Sequence, residues 1–128
     1  MRVLLDTHAL YWYTEGDARL SASAHTIIQD LSNEVLVSPA SYWEIAIKVS
    51  VGKWLLNRPY EEFVDIGLNR YGFQLLPILP QHTALLIGLP FHHKDPFDRL
   101  MVVQAMAENI PIISNDSLLD AYPISRIW

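Results

Sequence analysis

Short apolar runs alternate along this chain with longer stretches in which apolar residues recur every three or four positions. RVLLD (2–6) is too short for a helix and ends in an acid, which suits a strand buried on both faces. EVLVS (34–38), FQLLPI (73–78), PIIS (111–114) and ISRIW (124–128) repeat the form. The segments between them carry helix punctuation. THALYWYTEG (7–16) closes on Gly16, and LSASAHTIIQDLSN (20–33) offers Ser21 as an N-cap before Ala24, Ile27, Ile28 and Leu31. SPASYWEIAIKVSVG (38–52) and RPYEEFVDIGLNRYG (58–72) each have a proline at the start and a glycine at the stop. PQHTALLIGLP (80–90) is a short helix between prolines, DPFDRLMVVQAM (95–106) a longer one, and DSLLDAY (116–122) one or two turns. Strands separated by helices imply right-handed βαβ crossovers and a sheet covered on both faces. The expected fold is α/β: a single three-layer α/β/α domain over residues 1–128 with a central, mostly parallel sheet of about five strands.

In such a sheet, ligands bind beyond the carboxyl ends of the strands. Asp6 ends the first strand. Ser38 ends the second, and Glu44 lies two turns into the helix that follows it. Ser114, Asn115 and Asp116 end the fourth, and the helix that opens with Asp95 and Asp98 starts at the same edge. Four or five carboxylates therefore share one edge of a chain that has 14 acids and no matching cluster of lysines. Like charges at close quarters raise one another's pKa unless something positive sits among them. A hard divalent cation is the simplest counterpart, and Mg²⁺ and Mn²⁺ prefer carboxylate and water ligands. The chain has no cysteine, which excludes a zinc–thiolate site and a disulfide framework. A carboxylate-held Mg²⁺ suits phosphodiester hydrolysis.

Each acid also has a purely structural reading. Asp6 can cap the helix at THAL, Asp116 can cap SLLDAY, and Glu44 can pair with Lys48 four residues on. In DPFD, Pro96 takes the first helical position, so Asp95 is the N-cap and Asp98 stands one turn in, too short to close a capping box. The cap is assigned to Asp95 and the metal to Asp98. Tyr11, Trp12, Tyr13, Tyr42, Trp43 and Trp54 are expected mainly in the core, with some forming an apolar patch for association. The loop pair His92 and His93 could contact RNA or metal, but such a pair more often does neither, and no role is assigned to it.

The net charge of −5 runs against the basic footprint of a nucleic-acid binder. Arg2, Lys48, Lys53, Lys94 and Arg99 are the residues able to offset it near the site, with a solvated face as the default for each. MRVLLDTHALYW lacks the uncharged stretch of a signal peptide, and no apolar run reaches the ~18 residues of a membrane span. A cytoplasmic protein is expected.

LLDTHALYW (4–12), SPASYWEIAIKVSVGK (38–53), HKDPFDRLMVVQAM (93–106) and IISNDSLLDAY (112–122), in this order and spacing, resemble the PIN-domain family. The likeness is to the VapC-like toxin ribonucleases of bacterial type II toxin–antitoxin pairs, and it covers essentially the full length. It implies that Asp6, Glu44, Asp98 and Asp116 are the catalytic acids and hold the metal. Thr7 and Ser114 would support them, with Asp95 beside the site. His8 stands where many relatives have Asn or Ser and receives no role. The resemblance further implies Mg²⁺- or Mn²⁺-dependent endonucleolytic cleavage of RNA. It implies a cognate antitoxin whose C-terminal segment lies across the groove, and a homodimer. Two other readings stay open: a catalytically silent PIN module that binds RNA or protein, and a DNA-directed nuclease using the same acids. A response-regulator receiver does not fit, because Asp6 is single, no acid ends EVLVS or FQLLPI, and ISRIW offers no lysine.

Overall fold

In the computed structural model, which describes residues 1–128, the five apolar runs become β1 (Arg2–Leu5), β2 (Glu34–Val37), β3 (Gln74–Leu75), β4 (Ile112–Ile113) and β5 (Arg126–Ile127). They form one sheet in the order β3-β2-β1-β4-β5, and every pairing is parallel. β1 is central because its side chains are apolar on both faces. Val3 and Leu5 point into one core and Leu4 into the other, and all three are fully buried. The outer strands are shorter than the runs that encode them. β3 makes one further ladder bond, from the Leu76 N–H to the Val37 carbonyl, and then meets Pro77, which has no N–H to continue it.

Six helices cover the sheet: α1 (Thr7–Glu15), α2 (Ala22–Gln29), α3 (Pro39–Ser50), α4 (Tyr60–Asp65), α5 (Pro80–Ile87) and α6 (Pro96–Glu108). Leu10, Ile28, Ile45 and Phe63 bring α1 to α4 into the core shared with Val3 and Leu5. Met101, Val102 and Val103 of α6 build the core around Leu4, with Leu86 of α5 packed against it. The caps read from the sequence are made: Asp6 accepts from the Ala9 N–H, Ser21 from Ala24, Ser38 from Ala40 and Asp95 from Phe97 and Asp98. Gly16 closes α1 at φ 67°, in the left-handed region where a Cβ is disfavoured. Two boundaries differ from the sequence pattern. α3 stops at Ser50, two residues before Gly52, and α4 runs on as a π-helical turn over Ile66–Arg70. Within that turn Gly67 leaves room for the Tyr42 hydroxyl, which would lie 2.7 Å from a Cβ placed there. No helix is long and apolar enough to cross a membrane.

The strand order fixes where a ligand can enter. After β1 the chain builds outward through β2 and β3, then returns to the other side of β1 to build β4 and β5. The carboxyl ends of β1 and β4 flank this switch in direction, where a crevice opens in parallel sheets. Asp6 and Ser114 are the residues that follow those two strands, and the Asp6 N–H donates to the Ile113 carbonyl at 3.0 Å.

Candidate active site

Asp6 leaves β1 at the crevice and serves two purposes at once. One carboxylate oxygen caps α1 through the Ala9 N–H at 2.8 Å. The Ser114 hydroxyl lies close by and, like the Ala9 N–H, favours the charged form. Burial pushes the Asp6 pKa up to about 6 against those two influences, and the charges of Asp116 and Glu44 add to the rise. Ser114 is fully buried, and its hydroxyl oxygen also accepts the Asp116 N–H at 3.0 Å. Ser114 therefore sits between the acid after β1 and the acid after β4.

Glu44 reaches the same place from α3 and is only 4% exposed. Its Oε2 meets the Lys48 ammonium at 2.9 Å, and Lys48 is held in turn over the Trp54 ring, 4.3 Å from its centroid. The pairing with Lys48 that the sequence allowed is thus real, but it accounts for only one oxygen. The other, Oε1, is buried with no hydrogen-bond partner. An unsatisfied buried polar atom costs roughly 1–3 kcal/mol, more when charged. That orphan atom is what a cation, or a water on one, would satisfy.

Asp98 stands in the first turn of α6, behind the Asp95 cap. Its pKa is pushed up to about 7, first by burial and next by the charge of Asp95, with Asp6 and Glu44 contributing. Asp116 caps the short 3-10 helix Ser117–Ala121 through one oxygen, at 3.0 Å from the Leu118 N–H. Its other oxygen, Oδ2, lies 2.6 Å from Nε2 of His93. The same His93 nitrogen is 3.3 Å from Asp98 Oδ2. His93, Asp98 and Asp116 thus present ligand atoms within 4.8 Å of one another. Asp6 and Glu44 lie outside that tight group and act on it through their charge.

The remaining residues singled out in the sequence occupy other places. Thr7 is buried, with its hydroxyl donating to Ser41 Oγ at 3.1 Å, so it fastens α1 to α3. Asp95 spends one oxygen on two backbone N–H groups of α6. Of the five basic residues, Arg2 pairs with Glu34 at the opposite end of the strands. Arg99 is buried: its guanidinium donates to the carbonyls of Leu89 and Pro90 and lies 3.8 Å from the Phe91 ring centroid. Arg99 therefore holds the loop before α6 and is not placed for phosphate contact. Lys53 and Lys94 are exposed. Trp43 is 62% exposed and not core, in edge contact with Phe97 at 5.3 Å.

His93 is the residue that sequence reasoning passed over. It is buried, and the Tyr122 hydroxyl accepts its backbone N–H at 2.9 Å while donating to the Pro90 carbonyl at 2.7 Å. The local signal was a histidine two residues before a helix cap. Its acidic partner Asp116 is 23 residues further on, beyond another strand.

The arrangement is a buried cluster of carboxylates at a switch point, carrying too few cations and one orphaned carboxylate oxygen. Those donors fit a hard divalent ion. Comparison with known proteins agrees with this architecture. The PIN domain family model matches residues 3–124. Ribonuclease VapC16 of Mycobacterium tuberculosis is 39% identical over 70 residues, spanning 52% of this chain and 50% of that protein. Ribonuclease VapC22 of the same organism is 26% identical over 139 aligned positions that span 98% of both chains. Among solved structures, VapBC2 of Rickettsia felis bound to a DNA fragment from its promoter has a TM-score of 0.73. It is 19% identical and covers 99% of this chain and 98% of its own. VapBC-1 from Haemophilus influenzae has a TM-score of 0.62 at 18% identity, covering 99% and 97%. At these identities the solved structures speak to the fold.

Proposed function

The chain belongs to the PIN domain family, and from that premise we propose that it is a divalent-metal-dependent endoribonuclease, the toxin of a toxin–antitoxin pair. The observation that carries this reading is the cluster at the ends of β1 and β4, where Glu44 Oε1 is buried without a partner among like-charged acids. The two named ribonuclease relatives support it, one over half its length and the other over nearly all of it.

Asp6, Glu44, Asp98 and Asp116 hold Mg²⁺ or Mn²⁺ in this account, with Ser114 setting Asp6 against Asp116 and Thr7 locking the helices beneath them. The metal's chemistry, when it is bound, is Lewis-acid polarisation of a phosphoryl oxygen and of water, offsetting charge that develops in the transition state. The chain's own contribution is preorganisation. Lys48 fixes Glu44, the α1 cap fixes Asp6, and the 3-10 cap fixes Asp116, so the acids spend little freedom when a substrate arrives. Lys94, exposed beside the Asp95 cap, is the nearest basic residue in sequence available to a phosphate.

A cognate antitoxin and a second copy of the chain are the protein partners in this account, and the setting is the cytoplasm. The titles of the solved relatives name VapBC assemblies. Trp43, Ile47 and Val51, exposed at successive turns along α3 and its C-cap, form an apolar stripe suited to such a contact.

The test is cleavage of single-stranded RNA and of DNA of the same sequence. Discrete RNA fragments are expected with Mg²⁺, lost with EDTA and regained on adding excess Mg²⁺, with the DNA intact. Cleavage that survives EDTA overturns the metal assignment. Equal cutting of DNA overturns the choice of substrate, and an inert protein across RNA pools and metals leaves the silent binding module.

A further inference from the structure

His93 lies against two of the proposed metal acids, and proximity alone would make it a third ligand. Its second ring nitrogen says otherwise. Nδ1 accepts the backbone N–H of Asp95 at 3.1 Å. A nitrogen that accepts a hydrogen bond carries a lone pair, so the ring hydrogen is on Nε2. Nε2 is the atom 2.6 Å from Asp116 Oδ2 and 3.3 Å from Asp98 Oδ2. It meets Asp116 as a donor and has Asp98 as a close charged neighbour. For Nε2 to bind a cation its hydrogen would have to move to Nδ1, which would then face the Asp95 N–H donor to donor.

We propose that His93 is a positioning residue and not a metal ligand: its Nε2–H, donated to Asp116 and lying close to Asp98, sets the Asp116 carboxylate for the cation the acids hold. The inference rests on the metal-site reading above and deepens it. The Asp95 backbone is what fixes the tautomer, and it is itself locked, because the Asp95 side chain caps α6. The backbone of His93 is fixed independently. Tyr122 accepts its N–H, and Arg99 pins the preceding carbonyls of Leu89 and Pro90. Arg99 and Tyr122 thus serve the site by holding the loop that presents the imidazole. The helix cap and the acidic cluster are linked through one ring: Asp95 to Nδ1, and Nε2 to Asp116. Outer partners that orient ligating groups typically change metal affinity or activity by about 10–100-fold when removed.

The two nitrogens can be tested separately. Asn places an acceptor near the position of Nδ1 but has no donor at Nε2, whereas Gln places an amide donor near Nε2 and leaves Nδ1 empty. Mn²⁺ affinity, read by electron paramagnetic resonance on the full chain without RNA, should fall about tenfold or more in His93→Asn and stay within a few-fold of wild type in His93→Gln. Equal weakening in both variants, or weakening in His93→Gln alone, overturns the proposal. The wild type supplies an arm that needs no variant to fold. Long-range ¹H–¹⁵N correlation of the His93 ring at pH 8 should show the hydrogen on Nε2, both in EDTA and with saturating Mg²⁺. A hydrogen on Nδ1 in either state overturns it. Neither measurement uses RNA, so a protein that proves not to be a ribonuclease would leave the answer on His93 intact.

Discussion

Asp98→Asn is expected to lower Mg²⁺-dependent RNA cleavage by roughly 10³-fold, the loss of about 4 kcal/mol of metal-derived transition-state stabilisation under the proposed function. The variant should stay folded, and in EDTA it should be more stable than wild type. The two effects have one cause. The Asp98 carboxylate is largely buried beside Asp95, within reach of the charges of Asp6 and Glu44, which is why its pKa is pushed up to about 7. Asn keeps the shape and removes the charge that must be desolvated. Cleavage at saturating Mg²⁺ and denaturant midpoints in EDTA check the pair together. Full activity with an unchanged midpoint would mean that Asp98 is helix punctuation after all.

The second large effect is a pH dependence that Mg²⁺ reverses. Asp98 and Asp6 titrate near 7 and 6 in the folded chain, above the 3.8 of a free aspartate. The metal-free native state therefore holds protons that the unfolded chain has released. Stability from these groups is complete below about pH 4 and is lost as pH rises through 6 and 7, on the order of 7 kcal/mol between them. His8 opposes this over the lower part of the window, because burial holds its pKa below the usual value and it prefers to be neutral when folded. Asp17, Asp30 and Asp120, whose pKa values are depressed by hydrogen bonds, act only below that window. The difference between wild type and Asp98→Asn isolates the Asp98 share. In EDTA the advantage of the variant should grow from pH 5 to pH 8. With Mg²⁺ it should shrink or reverse at pH 8, because the cation binds the ionised carboxylates of the native state alone. An advantage that is flat with pH would contradict the account.

Much of this was legible because each signal was local. The apolar RVLL predicted a strand buried on both faces, and β1 is the central strand. Ser21, Ser38 and Asp95 sit where caps are required, and each accepts the expected N–H. The acids were harder, because capping and chemistry looked like alternatives. Asp6 and Asp116 each cap through one oxygen and keep a second, so a cap does not exclude a place in the proposed site. Asp95 is the contrasting case, with one oxygen serving two N–H groups of α6. What could not be read locally was the loop before α6. Arg99 looked like a surface cation, yet its partners are carbonyls up to 10 residues back along a turn whose path the sequence does not announce. His93 acquires its role only when β4 brings Asp116 alongside. An apolar patch among the aromatics was expected, but its membership at Trp43 was not legible: helical periodicity alone does not say which apolar residues are left over once the core is full.

The most direct test of the central claim is anomalous diffraction from crystals of the full chain grown with Mn²⁺. The account predicts a peak at the carboxyl ends of β1 and β4, among Asp6, Glu44, Asp98 and Asp116, with His93 Nε2 still bonded to Asp116 and not to the ion. No peak there at saturating Mn²⁺, or a peak coordinated by other residues, would contradict it.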